Sequence, residues 1–192
     1  MRIFLAGATG VIGTRLTPLL VESGHEVAGM TRSPAKADHV RALGAQPVIC
    51  DALDPDAVHQ VVTAFAPDLI IDQLTDLPTD RARIGEHRQA HDRIRRDGIR
   101  NLLAATGDTP VRVISQSVAW TLQGDAQAAV EEHEQLVLDA AGVILRYGQL
   151  YGPGTFYEDQ APDPPRIHID EVARRTLDAL NAPGGTILTL TE

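Results

Sequence analysis

The sequence has little of what several classes of protein require. Its 192 residues contain one cysteine, Cys50, so neither an intramolecular disulfide nor a cysteine-rich metal site can form. Lysine and arginine total 17 against 26 aspartate and glutamate residues, and the formal net charge is −9. Binding to nucleic acid or to an anionic membrane needs clustered positive charge, so this balance argues against both. The apolar run near the amino terminus is too short for a signal peptide or a membrane span, and we expect a cytoplasmic protein.

What the sequence does contain is a regular alternation of strand-like and helix-like segments. Short apolar runs predict strands at 3–6, 26–30, 47–50, 68–72, 111–115, 143–146 and 186–190. Helical spacing predicts helices at 12–20, 33–43, 56–65, 81–105, 126–140 and 169–180. Such alternation implies parallel pairing with right-handed crossovers.

We therefore predict one α/β domain over residues 1–192. Its expected architecture is a Rossmann-type, doubly wound and mainly parallel sheet with helices on both faces. Residues 152–168 are rich in proline and are expected to form a short loop on the substrate side. The substrate cap is then minimal.

A glycine-rich turn joins the first predicted strand to the first predicted helix. Residues 7–13 read Gly-Ala-Thr-Gly-Val-Ile-Gly. In a dinucleotide-binding turn, glycines permit the tight bend, the approach of the pyrophosphate and the close packing of helix on strand. The anion then lies at the amino end of the helix, where free N–H groups favour negative charge. The predicted cofactor contacts in this turn are Gly7, Thr9, Gly10, Val11, Ile12 and Gly13.

The end of the second predicted strand indicates which dinucleotide is bound. An NAD(H) site usually has an acidic residue there for the ribose 2′-hydroxyl, and this sequence has Thr31-Arg32-Ser33 instead. Arg32 is suited to a bidentate contact with a 2′-phosphate, and Thr31 and Ser33 add hydrogen-bond donors. We predict NADP(H), with NAD(H) less favoured. The alternative interpretation of Arg32 is a solvated surface arginine.

Several motifs resemble one enzyme family. The glycine turn has Ala8-Thr9 at its centre, residues 145–154 read Leu-Arg-Tyr-Gly-Gln-Leu-Tyr-Gly-Pro-Gly, and residues 168–173 read His-Ile-Asp-Glu-Val-Ala. With these motifs the chain resembles an extended or atypical short-chain dehydrogenase/reductase of the NAD-dependent epimerase/dehydratase group. The resemblance spans residues 1–154 and 166–190.

The resemblance implies roles for residues outside the glycine turn. It implies that Asp51, with its neighbour Ala52, lies at the adenine and that Arg95 belongs to the signature of the fourth helix. It also implies that Ser117 is the serine of the active site. Independently of the family, Gln73 and Thr75 follow the fourth predicted strand, whose carboxyl end faces the cofactor in this topology.

The sequence departs from the family at the proton relay. The family usually has a Tyr-x-x-x-Lys pair on the helix after the serine, and the tyrosine moves a proton to or from the reacting oxygen. Placed by Glu134, those positions are Ala126 and Val130 here, and neither side chain can ionise. The chain's one lysine, Lys36, lies near the expected adenosine end.

Three other residues are candidates for the missing chemistry. Ser117 can hold a substrate oxygen, Tyr151 can donate a proton, and His168 can titrate near neutral pH. Each also has a structural alternative: a serine that satisfies backbone groups, an aromatic wall residue and a hydrogen-bonding histidine before a helix. His87 and His91 have metal-compatible spacing but lack a third ligand, so we predict no metal site.

Three functions remain open at this level. The first is an NADP(H)-binding oxidoreductase that acts on a small carbonyl, hydroxyl or sugar-like compound. The second is a non-redox isomerase, dehydratase or cyclase of a biosynthetic pathway, and the third is a non-catalytic NADP(H) sensor. The expected partners are a small-molecule substrate and, through the small cap, a second copy of the chain in a homodimer.

Overall fold

The main sheet of the domain has the strand order of a Rossmann fold. The computed structural model describes residues 1–107 and 111–192. The strands of this sheet are β1 (Arg2–Ala6), β2 (Glu26–Thr31), β3 (Gln46–Ile49), β4 (Leu69–Asp72), β5 (Arg112–Val118), β6 (Val143–Tyr147) and β9 (Ile187–Leu190). They pair in the order β3-β2-β1-β4-β5-β6-β9, and every pairing is parallel. This topology confirms the predicted fold class.

Helices cover both faces of the sheet. They are α1 (Gly13–Glu22), α2 (Ala37–Ala42), α3 (Pro55–Phe65), α4 (Ile84–Arg93), α5 (Ile99–Ala104), α6 (Asp125–Asp139) and α7 (Ile169–Asp178). Alternate residues of β1 supply the two cores. Ile3 and Leu5 pack with Leu16 of α1, whereas Phe4 and Ala6 pack on the opposite face with Val58 of α3. The period of two along a strand therefore places one apolar core on each side.

The long helical stretch expected over residues 81–105 is present, but it is not a regular α-helix throughout. The chain forms a 3-10 turn at Arg81–Arg83, then α4, then a π-helical segment at Ile94–Gly98 and finally α5. The π turn buries both Ile94 and Arg95, which are 7% and 9% exposed. Consecutive residues of a regular α-helix are rotated by about 100°. A π turn holds more residues than an α-helical turn, so it changes which residues face the sheet. The helical stretch was predicted, but the π turn within it was not, because the arginine-rich sequence carries no clear signal for such a turn.

Two short strands were not predicted. The strands β7 (Gln149–Tyr151) and β8 (Arg166–His168) pair in parallel as a separate two-stranded sheet. Each has three residues, which is too short for a recognisable alternation of apolar and polar side chains. Residues 152–165 between them contain neither helix nor strand. Among residues 1–107 and 111–192, no helix combines the length and the apolar character needed to cross a bilayer.

Candidate functional site

A cleft of about 260 Å³, here called the first cleft, opens at the carboxyl ends of β1, β2, β3 and β4. Ligands of open α/β sheets bind at this edge. Its wall is formed by Gly7, Thr9, Gly10, Met30, Thr31, Arg32, Ser33, Lys36, Cys50, Asp51, Ala52, Gln73, Leu74, Thr75, Asp76, Leu77 and Ile94.

The glycine turn forms the floor of the first cleft and tolerates no side chain at two positions. Gly7 has φ +89°, and a Cβ there would lie 2.5 Å from the carbonyl oxygen of Gln73. A Cβ on Gly13 would overlap the carbonyl oxygen of Gly7 and lie 2.8 Å from the backbone of Ala8. These contacts bring the start of α1 close to the strand ends. The two glycines are therefore required by the packing of backbone on backbone.

The amino end of α1 offers N–H groups to an anion. The N–H of Thr14 donates to the carbonyl of Gly10 at 3.0 Å. The N–H groups of Val11, Ile12 and Gly13 come earlier in the chain than this bond, where a helix has no intrahelical acceptors. None of these three residues is part of the wall of the first cleft. Their backbone can nevertheless serve a phosphate, because the helix dipole adds to the attraction.

Gln73 presents an unpaired acceptor beside the glycine turn. Its side chain is 5% exposed, and its Nε2 donates to the Tyr147 hydroxyl at 2.9 Å. Tyr147 in turn lies 2.8 Å from the Thr176 hydroxyl, and burial raises the pKa of Tyr147 to about 12. Oε1 of Gln73 is buried without a hydrogen-bond partner in the described part of the chain. A buried acceptor of this kind is costly unless a ligand N–H satisfies it.

The side of the first cleft at the end of β2 carries Arg32. Its Nη2 lies 2.8 Å from Oδ1 of Asp76, and this hydrogen bond raises the pKa of Arg32. The hydroxyls of Thr9 and Thr31 are 3.2 Å apart, and Thr31 Oγ1 also accepts from the N–H of Ser33 at 3.3 Å. The turn after β2 is thereby tied to the glycine turn.

Most residues predicted to contact a cofactor are brought together in this wall. Those that line it are Gly7, Thr9, Gly10, Thr31, Arg32, Ser33, Asp51, Ala52, Gln73 and Thr75. Val11, Ile12, Gly13 and Arg95 do not line it.

Arg95 lies behind the wall of the first cleft. It is 9% exposed, and its Nε lies 3.2 Å from Nε2 of His91. Burial lowers the pKa of Arg95, and no carboxylate lies within salt-bridge distance of it in the described part of the chain. Its carbonyl oxygen accepts from Nδ1 of His133 at 2.9 Å.

A second cleft of about 280 Å³ lies at the carboxyl ends of β5, β6 and β9, beside α6. Its wall is formed by Val118, Ala119, Trp120, Thr121, Gln127, Val130, Glu131, Glu134, Arg146 and Thr189. Trp120, the chain's one tryptophan, is 36% exposed and gives this cleft an aromatic face.

Ser117 is hydrogen-bonded to a buried carboxylate beside the second cleft. It is 3% exposed, and its hydroxyl donates to Oε1 of Glu134 at 2.5 Å. Arg146 contacts the same carboxylate through Nε at 2.9 Å and Nη2 at 2.5 Å. Burial by itself would raise the pKa of Glu134, but the hydrogen bonds from Arg146 and Ser117 outweigh it and lower that pKa. The serine is thus held by a structural partner in this arrangement.

The positions of the family's proton relay are apolar and enclosed. Ala126 and Val130 lie on α6 and are 7% and 5% exposed. Val130 lines the second cleft. The helix that would carry tyrosine and lysine is present, but it presents no ionisable group at these two positions.

Tyr151 and His168 lie together at the two-stranded sheet. Their ring centroids are 5.1 Å apart with an edge-to-face arrangement. The Tyr151 hydroxyl donates to Glu192 at 2.7 Å, and this hydrogen bond raises the pKa of Tyr151. Nδ1 of His168 accepts from the N–H of Asp170 at 3.3 Å and caps α7. Neither residue lines the two clefts, so their part in catalysis stays a prediction.

A buried polar chain joins the sheet to α6. The Ser115 hydroxyl lies 2.6 Å from Oδ2 of Asp72 and 2.8 Å from Nε2 of His133. All three side chains are at most 2% exposed. The hydrogen bonds among Ser115, Asp72 and His133 were not predicted from the sequence. Nor was the place of Asp76 and Trp120 in the cleft walls. The positions of Asp76 and Trp120 shortly after strands were the available signal, since residues there face the ligand edge.

No metal site is evident among residues 1–107 and 111–192, since no three potential ligands are grouped there. His91 faces the N–H of Asp76 and Nε of Arg95. His87 and His91 therefore do not form a ligand pair.

Comparison with known proteins assigns the family. The family model described as the NAD dependent epimerase/dehydratase family matches residues 3–138. The chain belongs to this family. Membership confirms the resemblance seen in the glycine turn, and three residues of that turn, Gly7, Thr9 and Gly10, lie in the wall of the first cleft.

A curated relative adds a reductase to the comparison. A 3-diazoavenalumate denitrifying reductase from Streptomyces sp is 36% identical over 182 residues, covering 82% of this chain. The match covers 59% of the length of that reductase.

Solved structures support the fold. UDP-glucose 4-epimerase of Thermus thermophilus, in complex with NAD, has a TM-score of 0.80 at 18% identity and covers 100% of this chain and 78% of its own. UDP-glucose 4-epimerase of Thermotoga maritima, with UDP-glucose, has a TM-score of 0.80 at 15% identity, over 100% of this chain and 77% of its own.

Proposed function

We propose that this chain is an NADP(H)-dependent reductase that acts on a small electrophilic substrate. One observation carries the proposal. The first cleft contains the glycine turn and the arginine, Arg32, that a phosphorylated dinucleotide needs. The two positions on α6 at which the proton relay is expected hold Ala126 and Val130 instead. When bound, the nicotinamide supplies a hydride, and the protein binds and orients the two reactants.

The residues of the first cleft fit the dinucleotide. The N–H groups of Val11, Ile12 and Gly13 would hold the pyrophosphate. Arg32 would meet the 2′-phosphate, because a guanidinium binds phosphate through two parallel hydrogen bonds. The buried Oε1 of Gln73 would accept from an N–H of the cofactor, which removes the cost of its unpaired state.

The absent proton relay restricts the substrate. A carbonyl that accepts hydride becomes an alkoxide and needs a proton, which the family takes from its tyrosine. An arenediazonium group needs none: hydride supplies the electron pair of the new C–H bond, the C–N bond breaks, and its electron pair leaves with dinitrogen. We therefore propose an arenediazonium compound as the substrate class. The name of the Streptomyces relative, a diazo denitrifying reductase, supports this choice.

The second cleft suits a planar substrate. Trp120 offers an aromatic face on which a ring can stack. Glu131 and Glu134 outnumber Arg146 in the wall, so the lining carries one more carboxylate than cation. A positively charged diazonium group is favoured by both features, since the face of an indole also attracts cations.

Carbonyl reduction is the second candidate, and one contact favours it. Tyr151 and His168 are in edge-to-face contact and together could pass a proton. The hydrogen bond from Tyr151 to Glu192 raises the pKa of the phenol and makes it a weaker acid. This second candidate therefore requires Tyr151 to leave Glu192 first.

Titration of the purified protein with NADPH and NADH tests the cofactor. We expect NADPH to bind more tightly, and Arg32→Ala to weaken NADPH by about 10- to 100-fold while changing NADH by less than about threefold. Arg41→Ala is the control, because Arg41 is an exposed residue paired with Asp38 outside the cleft. If neither dinucleotide binds the wild-type protein, the proposal fails.

A labelling experiment tests the reaction. The protein is mixed with 4-deuterated NADPH and a stabilised arenediazonium salt, and dinitrogen, NADP⁺ and the arene are measured. We expect equal amounts of all three, with deuterium on the carbon that had carried nitrogen. A mixture without protein measures the uncatalysed reaction, and a mixture with Arg32→Ala shows how far turnover depends on the proposed cofactor site. Reduction of an aromatic aldehyde that slows in Tyr151→Phe, with no diazonium reduction, would instead support the second candidate.

A further inference from the structure

An ion pair joins two walls of the first cleft. Arg32 follows β2 and Asp76 lies four residues beyond the end of β4, yet Nη2 of Arg32 is 2.8 Å from Oδ1 of Asp76. Both residues line the cleft. The Arg32 side chain is 65% exposed and that of Asp76 is 21% exposed. The charge proposed to meet a 2′-phosphate is therefore already in contact with a carboxylate.

The charges around this pair cancel. The wall contains two cations, Arg32 and Lys36, and two carboxylates, Asp51 and Asp76. A phosphate placed there would meet no net positive charge while Asp76 stays at Arg32. Withdrawal of Asp76 would leave an excess of one positive charge beside Arg32. Phosphate binding and the Arg32–Asp76 pair thus oppose each other.

The backbone N–H of Asp76 shares its acceptor, the ring of His91, with a second donor. The N–H of Asp76 points at Nδ1 of His91 at 3.2 Å, while Nε of Arg95 points at Nε2 of the same ring at 3.2 Å. Burial and the charge of Arg95 lower the pKa of His91 to about 3, so the imidazole is neutral. A neutral imidazole has one acceptor nitrogen, and it can satisfy only one of these two donors. The contact between the Asp76 N–H and His91 therefore competes with the contact between Arg95 and the same ring.

We propose that Asp76 is a specificity-determining residue that competes with the 2′-phosphate of NADP(H) for Arg32. This inference rests on the proposed function. A dinucleotide without the phosphate leaves the pair intact, and its ribose 2′-hydroxyl can donate to the Asp76 carboxylate, the role that an acidic residue has in NAD(H) sites. Asp76 thereby limits how far the protein prefers NADP(H) over NAD(H).

Calorimetric titration of Asp76→Asn with 2′,5′-ADP, NADPH and NADH tests this proposal. We expect 2′,5′-ADP and NADPH to bind about two- to fivefold more tightly, which is the range of an exposed ion pair, and NADH to bind no more tightly than before. Asp80→Asn is the matched control. It makes the same charge change in the same loop, and an amide oxygen at this position would still accept from the N–H of Ala82, as the carboxylate does.

A double-mutant cycle separates competition for Arg32 from a general effect of charge. In the Arg32→Ala background, Asp76→Asn is expected to leave the affinity for 2′,5′-ADP unchanged. Asp76→Ala serves as a second variant, and thermal melting checks that each protein is folded. The proposal is overturned if Asp76→Asn leaves NADPH binding unchanged or weaker, strengthens NADH equally, or acts without Arg32. Absence of any binding by the wild-type protein would overturn the proposed function itself.

Discussion

The two clefts at the carboxyl edge of the sheet are built from the same kind of strand ends, but they differ in their polar groups. The first cleft depends on backbone: glycines without room for a Cβ, N–H groups at a helix start, and turns after β2 and β4. The polar groups of the second cleft are instead side chains of β5, β6 and α6. The two positions at which the family's proton relay is expected are occupied by Ala126 and Val130.

This difference shows how one fold can keep a binding site while the side chains that carry out the reaction change. A phosphate site made of N–H groups persists as long as the chain can follow the turn, whatever side chains surround it. A proton relay is carried by two side chains and is lost with them. The first cleft therefore keeps a glycine turn that does not depend on its surrounding side chains, while the two positions where the relay is expected hold no ionisable group.

Breaking the ion pair in the second cleft is expected to have the largest effect on stability. In Arg146→Ala, the buried carboxylate of Glu134 loses the partner that holds it at 2.9 and 2.5 Å. Loss of one member of a buried pair costs several kcal/mol, and the 40% exposure of Arg146 reduces this to about 2 to 3 kcal/mol. Urea unfolding measures the difference. Arg174→Ala breaks an exposed i,i+3 pair and should cost far less than Arg146→Ala; an equal loss in both variants would contradict the expectation.

The same carboxylate predicts a dependence on acid. The hydrogen bonds from Arg146 and Ser117 lower the pKa of Glu134 in the folded protein despite its burial. Such a group stabilises the fold above its unfolded pKa, and the contribution is lost as the pH falls through the folded value. The stability difference between wild type and Glu134→Gln should be complete near pH 7 and shrink below about pH 4. A difference that stays constant from about pH 7 to about pH 3 would argue against this linkage.

In the first cleft, Gly13→Ala is expected to destabilise the fold by about 2 kcal/mol. The new Cβ would overlap the carbonyl of Gly7 and press on Ala8 at 2.8 Å, and neither backbone can yield without opening the turn. We expect NADPH binding to weaken more than tenfold as a result. Gly85→Ala is the control, because a Cβ there meets nothing within 4 Å. Normal melting and binding in Gly13→Ala would show that the close approach is unnecessary.

Tyr147→Phe tests the hydrogen bond that links Gln73, in the wall of the first cleft, to Tyr147 on β6. Removal of the hydroxyl leaves Nε2 of Gln73 without an acceptor, so both polar atoms of that amide would be unpaired, at a cost of about 1 to 2 kcal/mol. The wild-type protein should also lose stability in alkali, because a phenol with a pKa raised to about 12 stabilises the fold below about pH 10 and loses this contribution as pH approaches 12. Tyr157→Phe is the control: it removes a half-buried hydroxyl that hydrogen-bonds to Gln149 instead, and it should change the free energy of unfolding much less. Similar behaviour of the two variants would contradict this link.

The smallest effect is expected at His168. His168→Ala removes the cap on α7, whose hydrogen bond is long at 3.3 Å, and should cost about 0.5 to 1 kcal/mol. His168→Asn keeps a capping oxygen and should melt like the wild type. Turnover measured in the two variants separates the roles: a capping residue loses nothing in His168→Asn, whereas a proton donor loses activity in both.

Much of the fold could be predicted because its signals are local. The strands of the large sheet are short apolar runs, and the glycine turn needs its glycines within the short span of residues 7–13. The π turn at Ile94–Gly98 and the strands β7 and β8 escaped prediction for a different reason. They are short, and their existence depends on what packs against them rather than on their own pattern.

The edge of the sheet at which the candidate site lies could also be predicted. Residues that follow strands, such as Arg32 and Gln73, were assigned to the correct edge of the sheet because parallel strands all end there. What could not be predicted was the partner of each side chain. Nothing in the spacing of Arg32 and Asp76, or of Ser117 and Glu134, indicates that they bond.

By itself, the sequence determined the Rossmann topology, the position of the glycine turn and the loss of the tyrosine and lysine from α6, since each is a matter of residue identity and local periodicity. Only the tertiary structure decided that Arg32 is held by Asp76, that Ser117 is held by Glu134, and that Gln73 keeps a buried oxygen unpaired. The physical reason is range. Strand and helix patterns arise from neighbours a few residues apart, whereas hydrogen bonds and ion pairs form between groups that the folding of the sheet brings within about 3 Å from distant parts of the chain.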